Sequence, residues 1–298
     1  MESDEIEKYF PKKPHRRRFK KAIKEKKKTT STKPSKMPKP VVDHKFALII
    51  GNGNYSTGPL GLNPINDAQV VREKFESEYG YKVFYHENLE CKEMNEALNE
   101  FEDALSQETG KSLAVVFFAG HGVQITTNKG VVENLLLGID NVYKNETERQ
   151  MQRKEISTKK VVEALEAADV SIKIMLLDCC RNVSGLPRFM ASKTRSITRS
   201  GFAREELEGC MILYACQPGE EALNGDSKNG LFTKSLMEAF ESQRNERNSP
   251  RFSDLVKEAE KIMKDRNQHP AVEIPCMGDC NDICIDGTLF KHWYQTLL

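Results

Sequence analysis

Short apolar segments alternate with segments of helical periodicity from Lys45 towards the end of the chain. The segments 46–50 and 113–119 are continuously apolar, as strands buried on both faces of a parallel sheet are. Strands that alternate with helices predict a largely parallel sheet covered by helices on both faces. The pattern therefore predicts an α/β fold of three layers, in which a mostly parallel sheet lies between helices.

The predicted elements follow one another without an internal repeat. Strands are expected at 46–50, 81–85, 113–119, 135–137, 172–177, 211–215 and 271–274. Helices are expected at 94–105, 161–168, 232–240 and 252–263. A further helix, capped by Asn66 or Asp67, would carry on one face Val70, Val71, Phe75 and Tyr79. Residues 45–298 are thereby accounted for as one domain.

The first 44 residues differ from this domain in charge. Positions 1–40 hold 15 Lys or Arg and 5 Asp or Glu, whereas the rest of the chain holds 30 basic and 39 acidic residues. So few apolar residues cannot offset the entropy lost on folding, and we expect a disordered basic tail over 1–44. The tail fits nuclear import or an acidic partner, and it fits equally well a merely solvated extension. Nucleic acid is expected as a partner only through this tail.

The sequence favours a soluble protein without a membrane partner. It contains no run of about 18 apolar residues, and its start, Met1 to Glu5, lacks the basic and apolar regions of a signal peptide. We therefore expect a cytoplasmic protein, with entry into the nucleus through the basic tail. In these compartments the 8 cysteines are expected as reduced thiols.

Two of the predicted central strands end in residues that can carry catalysis. One runs into His121 with a glycine on each side, and another runs into Asp178, Cys179 and Cys180. Functional groups gather beyond the carboxyl ends of parallel strands, so the two motifs are expected to meet. A thiolate is a strong nucleophile, and an imidazole beside it can favour its formation and later protonate a leaving amine. A lone Cys or His in such a place usually has only a structural role, whereas the pair is far more specific.

These motifs carry a resemblance to a known clan of peptidases. Residues 117–122 (Phe-Phe-Ala-Gly-His-Gly) and 176–181 (Leu-Leu-Asp-Cys-Cys-Arg) resemble the catalytic motifs of caspases, metacaspases and, most closely, paracaspases with their bacterial relatives. The resemblance extends from 45–52 through 229–236 to 268–274. It implies the three-layer caspase-like fold.

The resemblance also implies which residues act. The family pattern that this chain resembles has an acidic residue two positions before the nucleophile, which assigns that role to Cys180 rather than to Cys179 and makes His121 the partner. The backbone N–H groups of Gly122 and Cys180 would bind the developing oxyanion. Metacaspases usually have a histidine after the nucleophile, whereas this chain has Arg181, as paracaspases do.

By resemblance to the paracaspase specificity pocket, Asp67, Asp178 and Glu221 would bind the side chain before the scissile bond. Caspases that cut after aspartate have glutamine in place of Asp178 and a basic pocket, and a carboxylate inverts that preference. Three carboxylates repel one another unless a cation enters, and a guanidinium offers five donors. We expect hydrolysis of protein or peptide substrates after Arg, then Lys, through a thioester acyl-enzyme. A helix cap at Asp67 and a loop charge at Glu221 are the alternatives.

A rival interpretation comes from a different class of protein. The chain would be a catalytically weak caspase-like scaffold that docks through its basic tail. The intact His121 and Cys180 favour the enzyme, because a scaffold needs neither. The resemblance further implies activation by homodimerisation, without calcium or any other cofactor.

Two remaining features complete the expectations. Cys276, Cys280 and Cys284 are spaced by four, yet no fourth ligand stands at zinc-site spacing, so no metal site is predicted. The polar, arginine-rich stretch 183–208 is expected to be a mobile loop. A peptidase with basic specificity could cut it after Arg195, Arg199 or Arg204.

Overall fold

In the computed structural model, strands and helices alternate as the apolar pattern predicts. It describes residues 42–126, 132–140, 155–181, 210–217, 220, 222–223, 228–244, 249–273 and 283–288. The strands within these ranges are β1 His44–Gly51, β2 Lys82–Glu87, β3 Ser112–Gly120, β4 Gly122–Thr126, β5 Val132–Leu136, β6 Ile156–Ser157, β7 Ile172–Cys179, β8 Cys210–Tyr214 and β9 Ala271–Glu273. The α-helices are α1 Asn63–Glu73, α2 Cys91–Ser106, α3 Thr158–Ala167, α4 Leu231–Arg244 and α5 Phe252–Asp265, and a π-helical segment, Lys74–Glu78, directly follows α1.

A six-stranded sheet in the order β2-β1-β3-β7-β8-β9 forms the middle layer. Its strands are parallel except for β9, which runs antiparallel to β8. The central strand β3 is buried along its whole length. This arrangement confirms the predicted α/β fold with a mostly parallel sheet.

Alternate side chains of the central strands enter two separate hydrophobic cores. Val115 and Phe117 belong to the core that includes residues of α1, α4 and α5. Val116 and Phe118 belong to the core that includes residues of α2 and α3. Because successive side chains of a strand point to opposite faces, a strand between two helical layers must be apolar at every position.

The helix after β1 begins earlier than the sequence predicts. It starts at Asn63 with Pro64 in its first turn, and neither Asn66 nor Asp67 caps it. Proline suits the first helical turn because its ring sets the backbone angle and its missing N–H is not needed there. The capping prediction is therefore wrong. Asp67 lies within α1, and its carboxyl group is not used to cap the helix.

A second, smaller sheet was not predicted as such. Strands β4, β5 and β6 pair in that order, antiparallel to one another. Only β5 was expected, at 135–137, because Gln124 interrupts the apolar pattern of β4 and β6 is only two residues long. Strand β4 follows His121 directly, so this sheet is an extension of the histidine motif.

The remaining organisational predictions fall largely outside the described residues. Of the predicted tail, only Val42 to His44 are described, and His44 belongs to β1. The expected loop at 183–208 lies outside the description altogether. The described residues all belong to one unit, Pro40–Leu298. No helix among them is long and apolar enough to span a bilayer.

Candidate active site

His121 and Cys180 follow paired positions of two neighbouring strands. Strands β3 and β7 run parallel, with Gly120 opposite Cys179 in their register. His121 and Cys180 are the next residue on each side, at the carboxyl edge of the sheet, where active sites of parallel sheets form. The structure therefore brings the two predicted motifs side by side.

The glycines beside the histidine permit close approaches, that of Gly120 to Tyr55 and that of Gly122 to the cysteine strand. A Cβ on Gly120 would lie 2.5 Å from Tyr55 Oη, and one on Gly122 would lie 2.7 Å from both Cys179 Sγ and the Cys180 carbonyl oxygen. A side chain at Gly122 would therefore push the histidine turn away from the cysteine strand, and one at Gly120 would displace the Tyr55 hydroxyl that accepts from the His121 N–H. The predicted oxyanion donor Gly122 thus lies directly against the nucleophile motif.

A backbone carbonyl and a tyrosine orient the imidazole. Its Nε2 lies 2.7 Å from the carbonyl oxygen of Gly58, so Nε2 carries the proton and donates, and the lone pair is on Nδ1. The Tyr55 ring lies 4.4 Å from the imidazole between centroids, and Tyr55 Oη accepts a hydrogen bond from the His121 backbone N–H at 2.8 Å. Burial lowers the pKa of His121, and the Gly58 contact opposes this only in part. A neutral imidazole of this kind can accept a proton from a thiol.

Tyr55 and Gly58 are functional neighbours that sequence reasoning missed. Tyr55 is buried and also donates to the Leu137 carbonyl oxygen at 3.1 Å, so one hydroxyl joins the histidine turn to the residue that follows β5. A single aromatic residue within a loop rich in Gly and Asn was the available signal. Gly58 has a φ of 71°, which glycine adopts readily, but nothing in the sequence links it to the histidine.

The two adjacent cysteines have different surroundings. Cys179 is buried, whereas Cys180 is partly exposed. Burial, above all, raises the pKa of Cys179 well above the ordinary thiol value, so this thiol stays protonated at neutral pH. The Cys180 sulfur accepts a hydrogen bond from the Ala222 backbone N–H at 3.4 Å. Because Cys180 is the more accessible of the two thiols, it is the better candidate for the nucleophile, in agreement with the motif comparison.

A third cysteine connects the segment after β8 to the nucleophile strand. The Cys216 sulfur lies 3.5 Å from the Cys179 carbonyl oxygen and 3.3 Å from that of Glu220. The backbone N–H of Arg181 donates to the same Glu220 oxygen at 3.2 Å. These contacts hold residues on either side of Glu221 against the nucleophile, although Glu221 itself lies outside the described residues.

Asp67 and Asp178 approach each other around Gly230. A Cβ on Gly230 would lie 3.0 Å from Oδ2 of each aspartate, so these two oxygens are separated by at most twice that distance. Asp67 is 3% exposed and Asp178 is 9% exposed. The structure thus brings together two of the three residues predicted to line the specificity pocket.

Each carboxylate is held by donors at the start of α4. Asp67 accepts hydrogen bonds from the Asn229 side chain at 2.9 Å and from the Gly230 N–H at 3.0 Å. Asp178 accepts from Thr233 Oγ1 at 2.7 Å and from its N–H at 3.3 Å. Burial nevertheless raises the pKa of both groups, and for Asp67 the charge of Asp178 raises it further. Two buried carboxyl groups this close do not both ionise readily without a cation.

Among the described residues, no cluster of His, Cys, Asp and Glu has the arrangement of a metal site. Of the three cysteines at the end of the chain, only Cys284 is described, and it is buried. The other two, Cys276 and Cys280, lie outside the described residues.

The fold and the paired motifs agree with a comparison against known families. The sequence profile of the caspase domain family matches residues 44–279, and the chain belongs to this family. A search of curated proteins found no match. Among solved structures, protein GSU0716 from Geobacter sulfurreducens matches with a TM-score of 0.57 and 14% identity, over 83% of this chain and 100% of that one. At this identity the structural similarity shows the fold alone.

Replacing Asp67 with Asn should stabilise the ligand-free protein at alkaline pH. A carboxyl group whose pKa is raised in the folded state holds its proton more tightly there, so its favourable contribution is complete below the unfolded value, 3.8, and is lost as the pH rises through the folded value, about 8. Asn keeps an acceptor for Gly230 but carries no charge. We expect Asp67→Asn to raise the free energy of unfolding by on the order of 2 kcal/mol at pH 9.

Urea unfolding between pH 5 and pH 9 tests this, with the exposed Asp103→Asn as the matched control. The wild type and Asp103→Asn should lose stability together as the pH rises, and Asp67→Asn should lose less. Parallel pH dependence in all three proteins would contradict the account of the buried pair.

Proposed function

We propose that this protein is a cysteine endopeptidase that cleaves peptide bonds after arginine, and less readily after lysine. Its membership of the caspase domain family supports cysteine peptidase chemistry. The observation that supports the proposal is the register of β3 with β7, in which Gly120 pairs with Cys179 and the next residues of the two strands are His121 and Cys180. The specificity rests on the second observation, the two buried carboxyl groups at Gly230.

The proposed reaction begins with proton transfer from the Cys180 thiol to Nδ1 of His121. The thiolate attacks the scissile carbonyl carbon, and the oxyanion that forms receives hydrogen bonds from the backbone N–H groups of Gly122 and Cys180. His121 then gives its proton to the leaving amine, and the carbon–nitrogen bond breaks to leave a thioester on Cys180. Water, deprotonated by His121, attacks the thioester and releases the acid product and the thiol.

The proposed specificity follows from the cost of burying two negative charges. Without a ligand, burial raises the pKa of Asp178 to about 6 and that of Asp67 to about 8, and the charge of Asp178 contributes to the second increase, so Asp67 retains its proton at neutral pH. A guanidinium entering beside them, with Glu221 as a third carboxylate, would allow both to ionise and would supply several planar donors. An ammonium has only three donors on one atom, so lysine should bind less well.

The proposal includes the expectations that follow from a paracaspase-like enzyme. Arg181 directly after the nucleophile supports this subgroup over metacaspases, and Asp178 supports it over caspases that cut after aspartate. Protein or peptide substrates, activation as a homodimer and a cytoplasmic location belong to the same proposal. The scaffold interpretation would be favoured instead by tight binding of an arginyl peptide that is never cleaved.

The assignment of the nucleophile predicts different outcomes for the two adjacent cysteines. Cys180→Ala should abolish hydrolysis of an arginyl peptide while the fold is retained, because the adjacent thiol of Cys179 is buried and held in its protonated form. Cys179→Ala should only reduce hydrolysis, since this buried side chain packs behind the turn. Initial rates with a fluorogenic substrate, together with the thermal midpoint of each protein, provide the measurement. Full activity in a folded Cys180→Ala variant would refute the assignment.

The pocket predicts a loss of arginine preference when its space or its charge is changed. In Gly230→Ala the added methyl would stand between the two carboxyl groups, and in Asp178→Asn one charge is lost. Both should lower kcat/KM for an arginyl substrate by a factor that corresponds to the loss of about 2 to 5 kcal/mol of transition-state binding. For the matched norleucyl substrate, kcat/KM should change far less. The thermal midpoint of each variant is the control for a retained fold. An arginine-to-norleucine ratio equal to that of the wild type in both variants would contradict the pocket.

A further inference from the structure

Arg181, the residue after the candidate nucleophile, is buried rather than directed to solvent. Its side chain is only 5% exposed, although arginine is among the residues least often buried. Its guanidinium carbon lies 3.8 Å from the centroid of the Tyr214 ring. Burial of a guanidinium removes its hydrogen bonds to water, and contacts within the protein must replace them. The partners of Arg181 therefore indicate its role.

The partners of Arg181 form a polar cluster within the interior. Arg181 Nε donates to Asn134 Oδ1 at 3.2 Å, and Gln124 Nε2 donates to the same oxygen at 3.0 Å. The Asn134 side-chain amide in turn donates to Tyr214 Oη at 3.3 Å. All four side chains are buried. We call Arg181, Gln124, Asn134 and Tyr214 the arginine cluster.

The arginine cluster joins the elements that carry the two candidate catalytic residues. Gln124 lies on β4, three positions after His121, and it stands opposite Asn134 in the pairing of β4 with β5. Arg181 follows Cys180, and Tyr214 ends β8, the neighbour of the nucleophile strand. A displacement of the hairpin that follows the histidine would therefore be resisted by contacts to the residue that follows the cysteine.

We propose that Arg181 is a positioning residue for the reaction, which holds the Cys180 turn against the hairpin that continues from His121. This inference rests on the proposed function, since it concerns the distance between nucleophile and base. A planar guanidinium can stack on a ring and donate within its plane at once, which an ammonium cannot do. Geometry maintained in this way matters because small displacements of reacting groups cost large factors in rate.

The positive charge of Arg181, like its position, favours a reactive thiolate at the nucleophile turn. It opposes the increase in the pKa of Cys179 and of Cys216 that burial, above all, produces. A positive charge beside a thiol favours the thiolate. Among the described residues, the ionisable side chains grouped around this position include Cys179, Cys180, Cys216, Asp178, Tyr214 and Glu220.

Substitution of Arg181 tests the proposal. Arg181→Gln should lower kcat by about 10- to 100-fold, with KM changed less than about threefold, because the pocket is intact while the nucleophile is displaced. Arg181→Lys should recover part of kcat through its charge. The pH at half-maximal alkylation of Cys180 by iodoacetamide, read by peptide mass spectrometry, should rise by about one unit in Arg181→Gln and stay near the wild-type value in Arg181→Lys.

A matched control and a double-mutant cycle separate positioning from general stability. Arg251→Gln removes a half-buried arginine remote in sequence from the site, which pairs with Asp254 at 2.7 Å, and it should lower stability but not kcat. The effects of Arg181→Gln and Asn134→Ala on kcat should be smaller together than the sum of the two alone, because both break one network. A folded Arg181→Gln protein with wild-type kcat, or strictly additive effects, would overturn the proposal.

The outcomes also separate this proposal from the proposed function. If the wild type cleaves no peptide, the endopeptidase proposal fails, and the alkylation profiles of the same variants still decide the role of Arg181. If Arg181→Gln does not fold, Arg181→Lys and Tyr214→Phe take its place. The latter keeps the ring beneath the guanidinium and removes only the hydroxyl acceptor of Asn134. Unchanged kcat and an unchanged alkylation profile in both of these would overturn the proposal.

Discussion

The register between β3 and β7 is the constraint on which the candidate site depends. Because Gly120 pairs with Cys179, the two strands end level, and the residues that follow them emerge at the same edge of the sheet. The register itself is maintained by the two hydrophobic cores, since a shift of one residue would exchange every inward side chain of β3 between the two faces. The packing that stabilises the fold therefore also places the histidine motif beside the cysteine motif.

The site adds groups that are costly to bury. Two carboxyl groups share the space around Gly230, and the guanidinium of Arg181, the residue after Cys180, is buried against the Tyr214 ring. Neither arrangement is needed for a stable three-layer fold, and the carboxyl groups oppose folding at the pH where they ionise. Such unfavourable features concentrate where a ligand or a reaction requires them. Here they fit a cationic substrate side chain on one side and a positioned thiol on the other.

The central sheet and the strand ends that carry His121 and Cys180 were predictable from the sequence. Continuous apolar strands bounded by reactive residues are a local pattern, and parallel pairing brings their ends together. The predicted start of α1 was wrong. Asn66 and Asp67 are residue types that often cap helices, but Pro64 lies in the first turn and the helix already begins at Asn63. The smaller sheet was missed because its strands are short and partly polar.

Other features of the site depend on contacts between residues far apart in the chain. The Gly58 carbonyl meets the imidazole across 63 positions, and Arg181 reaches Asn134 across 47. No local pattern encodes such contacts, because each depends on the completed packing of several elements. The placement of Asp67 near Asp178 was expected only through resemblance to a family, and the structure shows the donors at the start of α4 that hold both groups.

The most direct test of the account is covalent labelling by a peptide chloromethyl ketone that ends in arginine, followed by mass spectrometry of the modified peptide. We expect a single adduct on Cys180. It should form faster than the adduct of the matched norleucyl or aspartyl ketone, and an excess of arginyl peptide should slow its formation. An adduct on Cys179 or on another thiol, or faster labelling by the aspartyl ketone, would contradict the account.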